Sequence, residues 1–365
     1  MNAGARRFPR PIVAITGGAG FLGRALIREL RKPDGEAVLH PREIRVLDTQ
    51  TAPAELDGVR YLRGDVRRIE DLRQLCAGAD LVFHLAALVD WGQTTGELLR
   101  DVNVGGTRNI VDACRSCDVG ALVATSSLDV VYGGRSVFDA DESTPYPSSF
   151  PNAYCATKAE AERVALEAHG TPLAGAAGGN GAHLRTIVIR PCSIWGEDDP
   201  YHVEAMLELA RRGPVVRLGR EPAPTQFVYV GNVAHALVLA GKALLDGEED
   251  VAGQVYFAAD FPARGFFDHL EPIVRAAGGR MLPASLALPR MPVKALAYAL
   301  VAAARLLRPF VPFRPLFTPW SVDYVCNTFT VKSDKAERLL GYRPIYTEEQ
   351  AYARTLDAVR RRVGS

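Results

Sequence analysis

Ile12-Val13-Ala14-Ile15-Thr16-Gly17-Gly18-Ala19-Gly20-Phe21-Leu22-Gly23 is the stretch whose reading decides the fold. Ile12 to Ile15 is apolar and mostly β-branched, which reads as a strand buried on both faces. Phe21 to Lys32 carries a helical pattern and stops before Pro33. Between them Gly17, Gly20 and Gly23 stand in G-x-x-G-x-x-G spacing. One glycine permits a tight turn, one lets backbone N–H groups approach a pyrophosphate, and one lets the helix close on the strand. The N-terminus of the helix at Phe21 and Leu22 then faces the phosphates with its partial positive charge.

Further strands follow at Glu43–Asp48, 59–64, 80–86, 121–126 and 185–190, with helical patterns at 107–117 and 154–169. Apolar strands alternating with helices predict an α/β fold, a Rossmann-type doubly wound parallel sheet. Asp48 ends the second strand, where a carboxylate can accept hydrogen bonds from both ribose hydroxyls of NAD and repel a 2′-phosphate. Thr49 and Gln50 offer that phosphate no cation. Asp65, followed by Val66 after the third strand, is placed where an adenine edge would lie.

The 365 residues are 48% hydrophobic and 23% charged, and 43 basic against 42 acidic side chains leave +1. That balance excludes a disordered chain and gives no footprint for nucleic acid. Six scattered cysteines argue against a disulfide scaffold and for a reducing, cytoplasmic setting. Cys114 and Cys117 form a lone pair without the partners of a zinc site, so no metal is expected. The basic start, Met1 to Arg10, has no apolar core after it and reads as a ragged tail. Gly170 to Gly181 reads as a flexible surface loop. After Pro191 the alternation dissolves and prolines gather between Pro283 and Pro319. The expected division is a dinucleotide-binding domain over 1–191 and a smaller, less regular substrate lobe over 192–365, interleaved with the first.

Tyr154 and Lys158 stand four residues apart at the start of a helix and so share one face. A free phenol has a pKa near 10, and a neighbouring ammonium lowers it, which suits a group that takes a proton from an alcohol. Ser127, in Thr125-Ser126-Ser127, ends the fifth strand at the edge where such sheets bind ligands. With the glycine turn and Asp48, these residues identify the chain as resembling the extended short-chain dehydrogenase/reductases. His84-Leu85-Ala86-Ala87, Asn103 and Arg190-Pro191 extend the likeness. By that resemblance Leu85, Ala86, Ala87 and Pro191 line the cofactor, and Asn103 holds structure and a proton-relay water.

Leu88-Val89-Asp90-Trp91-Gly92, Val228-Tyr229-Val230-Gly231-Asn232-Val233-Ala234, Gly253-Gln254-Val255-Tyr256-Phe257 and Asn327-Thr328-Phe329-Thr330-Val331 narrow the resemblance to the 3β-hydroxysteroid dehydrogenase/isomerase family. The resemblance implies NAD-dependent oxidation of a 3β-hydroxyl on a steroid or sterol, with a shift of the adjacent ring double bond in some members. Ser127, Tyr154 and Lys158 are then catalytic. Asp260 is a weak candidate for the isomerising acid/base, because Phe261 replaces an adjacent acid, and it reads as a surface residue. Other bulky substrates stay open: a 4-carboxysterol, a 2-alkyl-3-ketoacid or a flavonoid-like ketone. An NAD-sensing regulator without chemistry is a remoter reading.

Residues 288–307 form an apolar helical pattern in which Lys294, Arg305 and Arg308 share one side and Leu296, Leu300, Ala303 and Leu307 the other. That pattern suits either a helix packed on its own core or one lying in a membrane interface. The expected partners are therefore a steroid or sterol substrate, a peripheral membrane surface and, as a homodimer, a second copy of the chain.

Overall fold

Every residue of the first strand is buried, so it needs cover on both faces. The computed structural model describes residues 10–33, 38–51, 56–90, 94–175, 182–219, 223–307 and 317–363. From β1 (Ile12–Thr16) the chain passes through α1 (Phe21–Leu30), β2 (Glu43–Asp48), β3 (Val59–Arg63), α2 (Ile69–Cys76) and β4 (Leu81–His84). It continues with α3 (Gly96–Leu99), a π-helical turn (Arg100–Gly105), α4 (Gly106–Ser116), β5 (Ala121–Thr125), a 3₁₀ turn (Leu128–Val131), β6 (Val137–Ala140), α5 (Ala153–Glu167) and β7 (Arg185–Pro191). Then come β8 (Ser193–Trp195), α6 (His202–Arg212), β9 (Pro224–Thr225), β10 (Phe227–Tyr229), α7 (Val230–Asp246), β11 (Gln254–Ala258), β12 (Arg264–Gly265) and α8 (Phe266–Ala276). The last elements are α9 (Arg290–Leu307), α10 (Pro319–Cys326), β13 (Phe329–Val331), α11 (Asp334–Leu340) and α12 (Glu348–Val363).

A seven-stranded sheet runs in the order β11-β7-β5-β4-β1-β2-β3. All its neighbouring pairs are parallel. The chain builds outward from β1 to β3 and then crosses over to β4. The carboxyl ends of β1 and β4 therefore flank the switch point where such sheets bind ligands. The strands read from the sequence are all in this sheet. The seventh, β11, comes from the half where regular structure was expected to dissolve, and Val255 to Ala258 are buried in it. A smaller sheet, β12-β9-β13-β6, ties the C-terminal strands to a hairpin-like excursion after β5.

α1 packs on α7, and the contact contains a buried carboxylate. Glu29 lies 2.7 Å from Lys32 and 3.3 Å from His235, and these partners hold its pKa below the ordinary value against the cost of burial.

α9 corrects one expectation. Lys294 does not face outward, since its Nζ donates to Asp323 of α10 at 2.7 Å. Arg290 donates to the same carboxylate. Val293 and Ala297 pack against Val322, while Met291, Leu296, Tyr298, Leu306 and Leu307 are exposed. Lys294 and Arg290 face the protein, and an apolar side faces out. Among the described residues no helix is long and apolar enough to cross a membrane. Arg308, Trp91, Gly92, most of the basic N-terminal tail and the 176–181 part of the glycine-rich loop lie outside the described residues, as does the Arg305 side chain.

Candidate active site

The ends of β1 and β4 are stitched together by one buried histidine. His84 Nδ1 lies 2.8 Å from Thr16 Oγ1 and its Nε2 3.1 Å from Thr107 Oγ1. Burial, with the Lys158 charge nearby, lowers its pKa to about 3, so it is a neutral spacer. Gly17 follows at φ +73°, donating its N–H to Leu47 O at 2.8 Å. A Cβ on Gly17 would lie 2.8 Å from Ala86 N, and one on Gly23 2.4 Å from Gly17 O. The turn therefore brings backbone, and no side chain, to the mouth of a cavity of about 610 Å³. That cradle fits a dinucleotide pyrophosphate at the start of α1.

Gly17, Gly20, Phe21, Leu22 and Gly23 border this cavity, as do Asp48, Asp65, Val66 and the Leu85–Ala87 segment. Asp48 has a further task that its position in the sequence hides. Its Oδ2 accepts from Ala19 N at 3.0 Å and its Oδ1 from Gln50 N at 2.9 Å, so it also holds the glycine turn in shape. Asp65 borders the cavity with both carboxylate oxygens bonded to Arg67, whose guanidinium lowers its pKa. Arg67 also borders the cavity, a cation that Thr49 and Gln50 gave no hint of.

Ser127, Tyr154, Lys158 and Pro191 border the same cavity, and the first three are buried. Asn152 caps α5 by accepting from Cys155 N at 2.8 Å, which places Tyr154 and Lys158 in its first two turns. Lys158 Nζ donates to Thr125 O at 2.8 Å, and burial draws its pKa down to about 8. The expected lowering of the Tyr154 pKa is absent in this state. Burial, and then the charge of Asp129, push the phenol well above 10, and only its bond with Ser127 pulls the other way. Tyr154 here is a protonated acid.

One turn beyond Lys158, Glu162 binds Arg190 of β7 through Nε at 2.9 Å and accepts from Tyr146 Oη at 2.6 Å. This buried pair fixes the far side of α5. Asn103, expected at the cofactor site, does not border the cavity. It sits in the π-helical turn, accepts from Leu88 N at 2.8 Å and donates to Leu88 O and Thr157 Oγ1, both at 3.2 Å. Its work is to pin the segment after β4 to α5. Asp260 is no surface residue: its Oδ2 accepts from Tyr229 N and Asn232 Nδ2, and burial raises its pKa to about 7. It does not border the cavity.

Two groups of residues were missed. Asp129, two positions past Ser127, is buried in the cavity wall with its pKa raised by burial to about 6. A hydroxyl and an acid so close after a strand end were a readable signal. The facing wall is made by Tyr201 and His202 at the start of α6 and by Trp320 and Tyr324 of α10. Tyr324 Oη lies 2.5 Å from Ser193 Oγ, joining this wall to the chain after β7. No sequence periodicity announced it. Among the described residues no cluster of metal-ligating side chains occurs.

Comparison with known proteins adds to this geometry. A model of the 3-beta hydroxysteroid dehydrogenase/isomerase family matches residues 14–290. The human protein named 3 beta-hydroxysteroid dehydrogenase type 7 is 35% identical over 374 residues, covering 97% of each chain. The Arabidopsis thaliana 3beta-hydroxysteroid-dehydrogenase/decarboxylase isoform 1 is 33% identical over 94% of this chain and 78% of its own. Among solved structures, the Thermus thermophilus UDP-glucose 4-epimerase complexed with NAD superposes with a TM-score of 0.66 at 22% identity, covering 96% of this chain and 99% of that one. The Streptomyces venezuelae dTDP-glucose 4,6-dehydratase with NAD bound gives 0.67 at 21%, covering 97% and 98%. These structures share the fold.

Proposed function

The chain belongs to the 3-beta hydroxysteroid dehydrogenase/isomerase family, and from that membership and its site we infer an NAD-dependent dehydrogenase that oxidises a 3β-hydroxyl on a steroid or sterol to the 3-ketone. The observation that carries this reading is the meeting of Ser127, Tyr154 and Lys158 with the glycine turn in one cavity, opposite an aromatic wall. Aromatic and apolar walls with a few polar groups suit a bulky, poorly hydrated substrate.

NAD, when bound, supplies the hydride acceptor and, oxidised, a positive charge that favours a phenolate. The Gly17–Gly23 backbone would hold its phosphates, Asp48 its ribose hydroxyls, and Leu85, Ala86, Ala87 and Pro191 the walls around it. Tyr154 takes the proton of the substrate hydroxyl, Ser127 orients the oxygen, and Lys158 braces Thr125 and the ribose. Double-bond migration through Asp260 is not part of this reading, because its carboxyl is engaged away from the cavity. The Arabidopsis relative's name favours, as a second reading, an oxidation of a 4-carboxysterol that leads to decarboxylation.

The test is a panel of 3β- and 3α-hydroxysteroids, 4-carboxysterols and β-hydroxyacids with NAD, followed by NADH absorbance. Turnover of 3β-hydroxysteroids above the rest supports the first reading, and turnover confined to carboxysterols replaces it with the second.

The reading extends to partners and to the two interleaved lobes, 1–191 for the cofactor and 192–365 for the substrate. A cytoplasmic homodimer touching a membrane surface is its quaternary form. The exposed apolar side of α9 supports the membrane contact. So does the charge around it: beyond Arg275, paired with Glu271, and Arg290 and Lys294, paired with Asp323, the stretch carries Arg280, Arg305, Arg308 and Arg314 and no further acid. Co-sedimentation with anionic vesicles at low salt, weakened by Leu296→Ser with Leu306→Ser, is the expected result.

A further inference from the structure

Asp129 is buried in the cavity wall, and its Oδ2 accepts the Ser127 hydroxyl proton at 2.8 Å. Its backbone N–H donates back to Ser127 Oγ at 3.2 Å. Together these bonds use the hydroxyl's one proton and one of its two lone pairs, and leave the other lone pair for the Tyr154 phenol, which borders the same cavity. Asp129 Oδ1 has no hydrogen-bond partner, and a bare carboxylate oxygen inside a protein is costly. Two other polar groups of the site are engaged elsewhere. Lys158 Nζ is on Thr125 O, and the Asn103 amide is on Leu88 and Thr157, away from the cavity.

We propose that Asp129 is the proton-holding partner of Tyr154, exchanging one proton with it through the Ser127 hydroxyl. This rests on the reading of Tyr154 as the base of an alcohol dehydrogenation. The Tyr154 O–H bond breaks as a new Ser127 O–H bond forms, and the original Ser127 O–H bond breaks as Asp129 Oδ2–H forms. A phenolate and a carboxylic acid replace a phenol and a carboxylate. One negative charge has moved and none has been created, which spares a buried site the cost of an added charge. The phenolate then takes the proton of the substrate hydroxyl as hydride leaves for the nicotinamide. Asp129 finally releases its own proton to solvent and restores the starting state.

The groups that set the charge of Asp129 are Lys158 and His202, which favour the anion, while Tyr132, Tyr154, Cys155, Cys192 and Tyr324 feel it as a negative neighbour. Below its pKa of about 6 Asp129 already carries a proton, cannot take the tyrosine's, and oxidation slows.

The test is the pH profile of kcat for alcohol oxidation in wild type, Asp129→Asn and Asp129→Glu. The expected result is an acid limb near pH 6 in wild type. Asp129→Asn loses that limb and runs roughly 100-fold slower at neutral pH, gaining rate as pH rises, and Asp129→Glu regains the limb. An unchanged limb in Asp129→Asn, or a rate within about twofold of wild type at neutral pH, overturns the proposal. A second readout needs no turnover: the infrared signature of the protonated carboxyl, taken as wild type minus Asp129→Asn. Its midpoint should rise in Ser127→Ala, which removes the bond that lowers it, and a midpoint that stays put overturns the link. If no alcohol is turned over while the midpoint moves, the substrate reading has failed and the proton linkage stands.

Discussion

The two sides of the cavity are built on different principles. On the glycine side backbone meets backbone: a Cβ at Gly17 collides with Ala86 N, and one at Gly23 with Gly17 O. On the facing side, side chains meet side chains: the rings of Trp320 and Tyr324 on α10 lie 5.1 Å apart, and Phe266 of α8 stands against both Tyr324 and His202. A contact between backbones admits one residue type. A contact between side chains admits many combinations of similar volume. The cofactor side should therefore fail sharply when changed, and the substrate side by degrees.

The largest effect is expected between the two walls. Tyr154→Phe removes one oxygen and leaves the packing, so turnover should fall by roughly 10²–10⁴ with the melting temperature unmoved. Near-normal turnover would remove the tyrosine from the chemistry. Gly17→Ala comes next. It forces a side chain onto a residue at φ +73° and against Ala86, a strain on the order of 1–3 kcal/mol, or roughly 10–100-fold in NAD affinity by calorimetry. Unchanged affinity would show that the turn gives more than its contacts suggest.

Asp48→Ala should erode the preference for NAD over NADP by roughly tenfold in kcat/KM. It should also weaken NAD itself, because Ala19 and Gln50 lose their acceptor. A variant that changed preference alone would separate the two tasks. Tyr324→Phe breaks the bond to Ser193 and should raise KM for the substrate by roughly 2–10-fold while kcat holds. A fall in kcat instead would put that wall into the reaction.

The smallest effect lies outside both walls, at Asp260. Its folded pKa of about 7 stands above the ordinary 3.8, so the native state holds the proton more tightly than the unfolded chain. Wild type therefore loses stability as pH rises through that interval. Asp260→Asn should match wild type at pH 4 and melt roughly a few degrees higher at pH 8, with kcat/KM unchanged. A difference that ran the other way with pH would mean that the Tyr229 and Asn232 donors outweigh burial and favour the carboxylate.

The same contrast explains what could be read from residues alone. β1, the glycines, Asp48 and the Tyr154–Lys158 spacing are legible because backbone geometry and helix pitch dictate residue type at a fixed distance. β11 was missed because five residues in a region without alternation carry too little pattern. The wall from α10 was missed because Trp320 and Tyr324 reach the cavity only through tertiary packing. Asp65 and Lys158 can be singled out along the chain, but their partners, Arg67 and Thr125 O, are set by the fold. Asp129 had a signal in its nearness to Ser127, but its burial did not.

The buried pair of Glu162 and Arg190 bears on how this enzyme can be recombined. Glu162 belongs to the helix that presents Tyr154 and Lys158, Arg190 to the strand that ends at Pro191, and Tyr146 completes the set from the loop before the helix. A chimera that imports a helix without an acid at the Glu162 position while keeping the native strand would bury one ion without its partner, at a cost of roughly 3–5 kcal/mol. The crossover points that respect this chemistry lie before Tyr146 and after Pro191. The loop, helix and strand between them are inherited together, as one interchangeable cassette.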